Sequence, residues 1–325
     1  MMRLNKYIAH YSTYSRREAD KIIQEGKVKI DGEQETNPAT QVDEKWVLVY
    51  VGSKKIIPND EYTVIVYNKP KGELVTKNDP RGRRIIYDSL DKKYKHFISV
   101  GRLDYASEGL LLLTDSSQVA SAMMHSKMER VYRVKIKGHV TEGMKSAMGE
   151  GLTIEGTDGA HEETEIEQMT FAPFYAYEVI KDQGDYSILK VVIGEGQNRE
   201  IRRFFAHFGG EVVDLKRLSF GGISLNNLPT SKTRFLTRGE YNSLHTFMKE
   251  ERSRNKQQQK DADKKQRRDS YENDLERKRS GDTTLREGEE GFKSEQPQRR
   301  SPKNYEQKAP KRRGDSKKTH SKRKK

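Results

Sequence analysis

Short apolar patterns alternate with turn signals over the first fifty residues. Apolar side chains between residues 4 and 11 recur at helical spacing and predict a first helix. Ser15 and Glu18 have capping-box spacing, which predicts a second helix over 16–25. Residues 28–33, which contain an Asp-Gly pair, predict a β-hairpin. The pattern indicates a small module of two helices and a hairpin.

Strand patterns dominate the next part of the chain. Residues 51–60 carry turn signals and are interpreted as a linker. Residues 62–67 are β-branched and aromatic and predict a strand, whereas 131–137 alternate apolar with cationic side chains. The latter pattern predicts a strand with one apolar and one basic face. The acidic residues 162–167 are expected on another strand, without metal-ligand spacing.

A glycine-rich turn separates the next strand from a helix. Residues 189–193 predict the strand, and apolar positions at i, i+3, i+4 and i+7 between 201 and 208 predict the helix. A final strand near 223–225 and a short helix over 240–249 complete the pattern.

Residues 100–115 place one acid between a Gly-Arg turn and a buried strand. The apolar run 110–113 is short and flanked by turn residues, as is typical of a buried strand. Capping-box spacing at 115–118 predicts a helix after it. Asp104 therefore lies on a loop anchored in the core. Its carboxylate is either a nucleophile or general base, or a turn residue that binds its own backbone.

Positive charge is concentrated at the C-terminal end of the 325 residues. Residues 249–325 hold 27 Lys and Arg against 15 Asp and Glu, whereas the first 248 residues hold 36 against 34. A nucleic-acid surface on the body therefore requires clustered cations. Residues 250–325 contain five large apolar side chains, too few to offset the entropy cost of ordering. We predict a disordered basic tail that adds RNA affinity or only solubility.

Composition disfavours several classes of protein. The chain has no Cys, and its eight His show no ligand-pair spacing, so a metal enzyme is not expected. The sequence has no nucleotide-binding phosphate loop and no clustered acids on a cleft motif, which argues against phosphoryl transfer or a nuclease. Without a long apolar run or a signal-peptide core, we expect a cytoplasmic protein that does not bind membranes.

Several motifs resemble those of a known family. Gly101-Arg102-Leu103-Asp104, continued by Ser107 to Asp115, resembles the central motif of the RNA pseudouridine synthases, in the ribosomal group of small-subunit type A and large-subunit types B, E and F. Residues 68–72 and 189–210 resemble two further motifs of that family. Residues 15–19 and 26–32 resemble the two signature segments of the S4 RNA-binding domain.

The resemblance covers about residues 3–245 and implies an α+β fold. The expected architecture is a small S4-type α-L RNA-binding domain with its linker (1–58) and a mixed, mainly antiparallel β-sheet catalytic domain flanked by helices (59–248). The disordered basic tail (249–325) follows.

The resemblance also implies the site. Asp104 matches the catalytic acid, and Arg202 matches a basic residue that pairs with it and would hold it ionised. Tyr132 matches a tyrosine that packs on the target base, although a tyrosine at that strand position is more typical of a core. Arg130 stands where the family pattern has lysine, so we assign it no catalytic role. The expected RNA contacts are Arg3, Arg16, Arg17, Lys27, Lys69, Lys71, Arg81, Arg83, Arg84, Arg102, Arg199 and Arg203.

The implied reaction converts a specific uridine of ribosomal RNA to pseudouridine, with no cofactor and no metal. The basic extension and residues 198–203 look more like the large-subunit type B than the small-subunit enzyme, which favours 23S rRNA or a large-subunit precursor as the substrate of a monomer. The alternative is a noncatalytic S4-type rRNA-binding or ribosome-assembly protein.

Overall fold

The computed structural model describes residues 2–12, 14–43, 46–58, 61–156, 159 and 168–280. Residues 1–261 form one compact unit, and a second unit begins at Ala262. The strand expected around 162–167 and the tail beyond residue 280 lie outside the described residues.

The N-terminal module has the predicted two helices and hairpin. Ser15 caps the second helix reciprocally: its hydroxyl accepts from the Glu18 amide, and the Glu18 carboxylate accepts from the Ser15 amide. The Asp31-Gly32 turn has positive φ at both residues, 51° and 97°, as a tight hairpin requires. The elements are β1 (Met2–Arg3), α1 (Leu4–Tyr11), α2 (Arg16–Gln24), β2 (Val28–Ile30), β3 (Glu33–Glu35), β4 (Gln41–Val42), β5 (Val49–Val51) and β6 (Lys54–Ile56).

Part of the predicted linker is instead a hairpin. Strands β5 and β6 pair antiparallel around Gly52 and complete a four-stranded sheet in the order β3-β2-β5-β6. Turn signals at Gly52 mark the turn within this hairpin rather than the end of the module. The buried side chain of Ile56 explains why the chain returns, because it joins the apolar core of the module.

The larger part of the chain is a mixed sheet with helices against it. Its elements are β7 (Val64–Lys69), α3 (Ile86–Ser89), a 3-10 turn (Lys92–Tyr94), β8 (Ile98–Ser99), β9 (Glu108–Thr114), α4 (Ser117–Met124), β10 (Arg130–Lys137), α5 (Glu142–Glu150), β11 (Leu152–Glu155), β12 (Gln168–Phe171), β13 (Ala176–Gln183), β14 (Tyr186–Ile193), α6 (Glu200–His207), β15 (Val212–Phe220), β16 (Ile223–Ser224), β17 (Thr233–Phe235) and α7 (Arg238–Ser280).

The main path of this sheet runs β13-β14-β10-β15-β9-β7-β17, with β8 and β16 paired beside it. The β15–β9 pair is parallel, and the other described pairs of the sheet are antiparallel. The mixed, mainly antiparallel sheet flanked by helices is therefore confirmed. The strand at 223–224 is followed by β17, which the sequence did not predict.

Strand β9 is buried on both faces, as its apolar run predicts. Leu111 and Leu113 join the core under α5 and α6, whereas Leu110 and Leu112 join a second core with α4 and α7. Because this strand is fixed from both sides, the loop that precedes it has a rigid anchor.

Two helix boundaries differ from the predictions. Ser116, not Asp115, caps α4, because the Ser116 hydroxyl accepts from the Val119 amide while the Asp115 carboxylate accepts from the Thr63 amide. Helix α7 runs to Ser280, so 250–280 are helical rather than disordered. Residues with high helix propensity and i,i+4 ion pairs such as Arg268–Glu272, 2.9 Å apart, favour this extension.

Candidate active site

The loop that carries Asp104 is held through its backbone. It lies between β8 and β9, and the Ser107 amide donates to the Asp104 carbonyl at 3.0 Å. The ammonium of Lys69, at the end of β7, donates to the carbonyls of Asp104, Ser107 and Pro70 at 3.2, 2.9 and 2.9 Å. Three bonds from one cation therefore fix the turn while leaving the Asp104 carboxylate free to point elsewhere.

Lys69 itself is completely buried. Burial lowers the pKa of its ammonium to about 8, and the nearby carboxylates of Glu73, Asp104 and Glu108 oppose that shift. Lys69 was among the residues expected to contact RNA. That assignment is wrong for this structure, because a buried ammonium bonded to three carbonyls cannot reach a phosphate.

Two arginines, Arg199 just before α6 and Arg202 within it, lie beside the Asp104 carboxylate. Nε of Arg202 lies 3.3 Å from Oδ2 of Asp104, and Nη1 of Arg199 lies 3.7 Å from the same oxygen. Arg199 precedes the helix with φ 50°, in the left-handed region, which places its side chain beside the first turn. The resemblance implied the Asp104–Arg202 pair, and the structure brings the two together from positions 98 residues apart.

Arg202 is anchored as well as paired. It is 9% exposed, and its guanidinium donates to the carbonyls of Val212 and Ala106 and to the Ser107 hydroxyl. Burial lowers the pKa of this guanidinium, and Asp104 opposes the shift. A guanidinium remains charged even so. These contacts leave little freedom to the group that faces the Asp104 carboxylate.

A cavity of 200 Å³ opens beside this pair. Asp104 and Tyr132 both line it, with Arg102, Arg199, Arg217 and Phe220 among the other lining residues. Tyr132 lies on the buried face of β10 and is 7% exposed. The space can hold a single pyrimidine ring. The structure therefore brings residues 104, 132 and 202 to one place, although Arg202 acts there through Asp104.

Three buried charged residues line this cavity besides the predicted site residues: Arg217 and Glu200 were not singled out from the sequence, and Arg130 was assigned no catalytic role. Arg217, on β15, is 3% exposed, donates to the Leu110 carbonyl at 2.7 Å, and its Nη2 has no hydrogen-bond partner among the described residues. Arg130 lies over the Phe220 ring at 4.5 Å and donates to backbone carbonyls. Arg217 could have been found from the sequence, because it is a cation at an inward-facing position of an otherwise apolar strand.

Glu200 is the third. It is 5% exposed at the start of α6, lines the cavity and accepts from the Gln197 amide at 2.8 Å. Burial raises the pKa of its carboxyl group. Its sequence signal was an acid in the first turn of a predicted helix, which is usual for capping and did not single it out.

The remaining predicted RNA contacts divide by exposure. Arg203 is completely buried and donates to the Gly156 carbonyl, so its assignment as an RNA contact is also wrong for this structure. Lys71 is about half exposed and pairs with Asp214 at 2.6 Å. The exposed members around the larger sheet are Arg81, Arg83, Arg84 and Arg102, and those of the N-terminal module are Arg3, Arg16, Arg17 and Lys27.

Neither metal nor membrane features emerge from the described part of the chain. Those residues hold no cluster of three or more His, Asp or Glu side chains suited to a metal ion. None of the helices in the same part is long and apolar enough to cross a bilayer.

Comparisons with known proteins agree with this geometry. Residues 63–207 match the RNA pseudouridylate synthase family model, and residues 2–45 match the S4 domain. A protein from Helicobacter pylori strain 26695, named as an uncharacterized RNA pseudouridine synthase, is 52% identical over 76% of this chain and 95% of its own length. Ribosomal large subunit pseudouridine synthase B from Bacillus subtilis is 32% identical over 76% and 97%.

A solved structure is similar in fold. The crystal structure of a pseudouridylate synthase covers 75% of this chain and all of its own, with 28% identity and a TM-score of 0.51. Together with the relatives at 52% and 32% identity, these matches show that the chain belongs to the RNA pseudouridine synthases, enzymes that isomerise uridine within RNA, and that it carries an S4 domain ahead of the synthase domain.

Proposed function

We propose that this enzyme modifies a specific uridine of ribosomal RNA of the large subunit, with Asp104 as its catalytic group. In the reaction the N1–C1′ glycosidic bond breaks, the uracil turns, and C5 bonds to C1′. C5 loses its proton and N1 gains one. The product is an isomer of the substrate, so the atoms balance without a co-reactant.

The observation that carries this proposal is the pairing of Asp104 with Arg202 at the mouth of the cavity. The ionised carboxylate is the form that attacks the sugar or the base, or removes a sugar proton. Arg202 holds the negative charge and fixes its direction, because its other donors are tied to the backbone. Tyr132 presents its ring to the same space, where stacking on a base contributes roughly 1–3 kcal/mol.

A uridine inside folded RNA must leave its stack to enter the cavity, which costs a few kcal/mol. Arg102 is exposed at the cavity rim, two residues before Asp104. We assign it to the gap left by the extruded base or to the flanking phosphates. Arg217, with its unpaired Nη2, is assigned to a carbonyl oxygen of the uracil, because a buried donor without a partner is costly.

The large-subunit assignment is supported by the B. subtilis relative, whose name states that target, and by residues 198–203. We also propose the division of the chain at about residues 58 and 248, with the S4 domain gripping rRNA while the second domain does the chemistry. Mapping pseudouridines in rRNA from a strain that lacks the gene identifies the modified position.

The direct test is tritium release from rRNA that contains 5-tritiated uridine. We expect release by the native enzyme and none by Asp104→Asn, with RNA binding retained in both. Asp185→Asn, in the exposed turn between β13 and β14, is the matched control and should behave as native. Equal release by native and Asp104→Asn removes Asp104 from the mechanism. Tight binding without release by the native chain establishes the noncatalytic rRNA-binding alternative.

A further inference from the structure

The outward face of the β13-β14-β10-β15 half of the sheet carries a cluster of cations. Residues of β10 alternate, so that Tyr132 and Val134 are buried while Arg133 and Lys137 are exposed. Arg133 lies opposite Lys190 of β14 and opposite Lys216 of β15. We define the basic sheet face as Arg133, Lys135, Lys137, Lys181, Lys190 and Lys216.

The charge of this face is not balanced locally. Like charges directly opposite each other destabilise a sheet, yet Lys190, Arg133 and Lys216 form one row across three strands. Asp214 lies 3.8 Å from Arg133 and Glu108 lies 3.5 Å from Lys216. Asp214 lies opposite Lys135 and Glu178 lies opposite Lys190, but no carboxylate of the described residues comes within ion-pair distance of either lysine. An external anion would relieve this repulsion.

Lys71, which pairs with Asp214 at 2.6 Å, is a seventh cation beside this face, and Glu211, whose carbonyl accepts from the Lys137 amide, is a fourth acid after Asp214, Glu108 and Glu178. Seven cations against four carboxylates give a net charge of about +3. The first 248 residues as a whole carry 36 cations against 34 acids, a net +2. One sheet face therefore holds more net positive charge than the entire body. Cations clustered in this way are typical of a surface that binds a polyanion.

A groove lies on this face. Its volume is 470 Å³, and Arg133, Lys190 and Lys216 line it beside the apolar Val131 and Leu218. On the same strands, Tyr132 and Arg217 point to the active-site cavity on the other side of the sheet. Because the groove and the cavity lie on opposite faces of the sheet, an RNA whose uridine occupies the cavity reaches the groove with a different segment.

We propose that the basic sheet face binds the phosphodiester backbone of a second segment of the same rRNA, an inference that rests on the proposed function. The row of cations matches successive phosphates, and the lysines lack base-reading geometry, so the contact is independent of sequence. The consequence is a preference for a large folded rRNA domain over an isolated stem-loop.

The test compares Lys135→Gln/Lys190→Gln with Lys92→Gln/Lys145→Gln, which removes the same charge outside the face. RNA affinity is measured at several salt concentrations for a long rRNA fragment and for a short stem-loop that contains the target. We expect the slope of log affinity against log salt to fall by about 1–2 for the long RNA in the first variant only. Its KM for the long RNA should rise about tenfold.

Equal slopes for both double variants overturn the proposal, and so does an equal loss on the stem-loop, which would place these lysines at the primary site. Unchanged RNA binding with loss of association to an acidic protein would assign the face to that partner instead. Absence of tritium release from any rRNA contradicts the proposed function, but the binding slopes remain readable. Failure of this proposal and failure of the proposed function can therefore be told apart. Thermal melts are used to check that both double variants are folded.

Discussion

Gly109 and Arg217 touch backbone to backbone where β9 runs parallel to β15. A Cβ at Gly109 would lie 2.3 Å from the Arg217 carbonyl oxygen and 2.9 Å from its nitrogen, and Gly109 has φ 103°. This contact joins the loop of Asp104 to the strand that supplies Arg217 to the cavity. A side chain cannot fit there without separating the two strands.

Gly109→Ala should therefore reduce both stability and activity. Steric overlap with backbone and a disfavoured φ together cost roughly 3 kcal/mol or more. Chemical denaturation measures the loss, and tritium release should fall because Asp104 moves with β9. Gly149→Ala, in α5 with open space at the Cβ position, is the control and should be neutral or stabilising by up to about 1 kcal/mol. Similar stabilities of the two variants would contradict this account.

Replacement of Arg202 by Met should lower kcat about 100-fold or more. Without Arg202 the Asp104 carboxylate loses the group that fixes its direction, and a misplacement of about 1 Å at a catalytic group can cost about 100-fold in rate. Arg202→Lys keeps the charge but cannot bond Val212, Ala106 and Ser107 while facing Asp104, so we expect an intermediate rate. Single-turnover kinetics decide, and a lysine variant as slow as the methionine variant would show that charge is not the relevant property.

Deprotonation of Lys69 should make turnover depend on pH near pH 8. The folded pKa of about 8 lies below the usual 10.5, so raising the pH through 8 removes a proton from the ammonium that bonds three carbonyls. A neutral amine has one donor fewer. Turnover should therefore decline above pH 8 as the Asp104 turn loosens. Lys69→Met should be slower at every pH and lack this decline; a decline of equal size in both would assign it to another group.

Stability should depend on pH in the opposite direction to turnover: the free energy of unfolding should rise where turnover falls. Between pH 8 and 10.5 the unfolded state binds the proton and the folded state does not, so the free energy of unfolding rises with pH over that window. The difference between the usual pKa of 10.5 and the folded pKa of about 8 corresponds to roughly 3 kcal/mol. Native and Lys69→Met should diverge in stability by that order between pH 8 and 10.5, measured by urea denaturation. Parallel curves would contradict the lowered pKa.

Arg217→Met should raise KM and lower kcat together if its free Nη2 binds the uracil. The methionine can still pack near the Phe220 ring, but it loses the cation–π contact with that ring, the hydrogen bond to the Leu110 carbonyl and the Nη2 donor. We expect a loss of about 10–100-fold in kcat/KM, since a hydrogen bond from a charged group contributes roughly 1.5–3 kcal/mol. Binding of rRNA measured by filter retention should change little, because phosphates dominate affinity. A loss confined to rRNA binding would assign Arg217 to the backbone instead.

The sequence predicted structure best where local periodicity and burial agree. The capping box at Ser15 and Glu18, the Asp31-Gly32 turn and the apolar run of β9 each specify their element through contacts within a few residues. Capping at Ser116 rather than Asp115 was decided by the Thr63 amide, which is 52 residues away in the chain. Local spacing alone cannot rank two adjacent capping residues.

Exposure of the cations was decided by the tertiary structure. Lys69, Arg203 and Arg102 were all predicted from their motifs to contact RNA. The first two are completely buried, and only Arg102 faces solvent. A lysine at a strand end is oriented by the loops that close over it, and those loops come from distant parts of the chain. Arg217 was missed for the same reason, because its neighbours Leu110 and Tyr132 lie on other strands.

By itself the sequence determined the helices and strands that flank Asp104, the loop position of Asp104 and, through its motifs, the family. Only the tertiary structure decided which cations surround the Asp104 carboxylate and which donate to backbone carbonyls instead. It also decided that the basic sheet face lies opposite the cavity. The physical reason is that secondary structure depends on neighbours in sequence, whereas burial, ion pairing and the desolvation of a charge depend on neighbours in space.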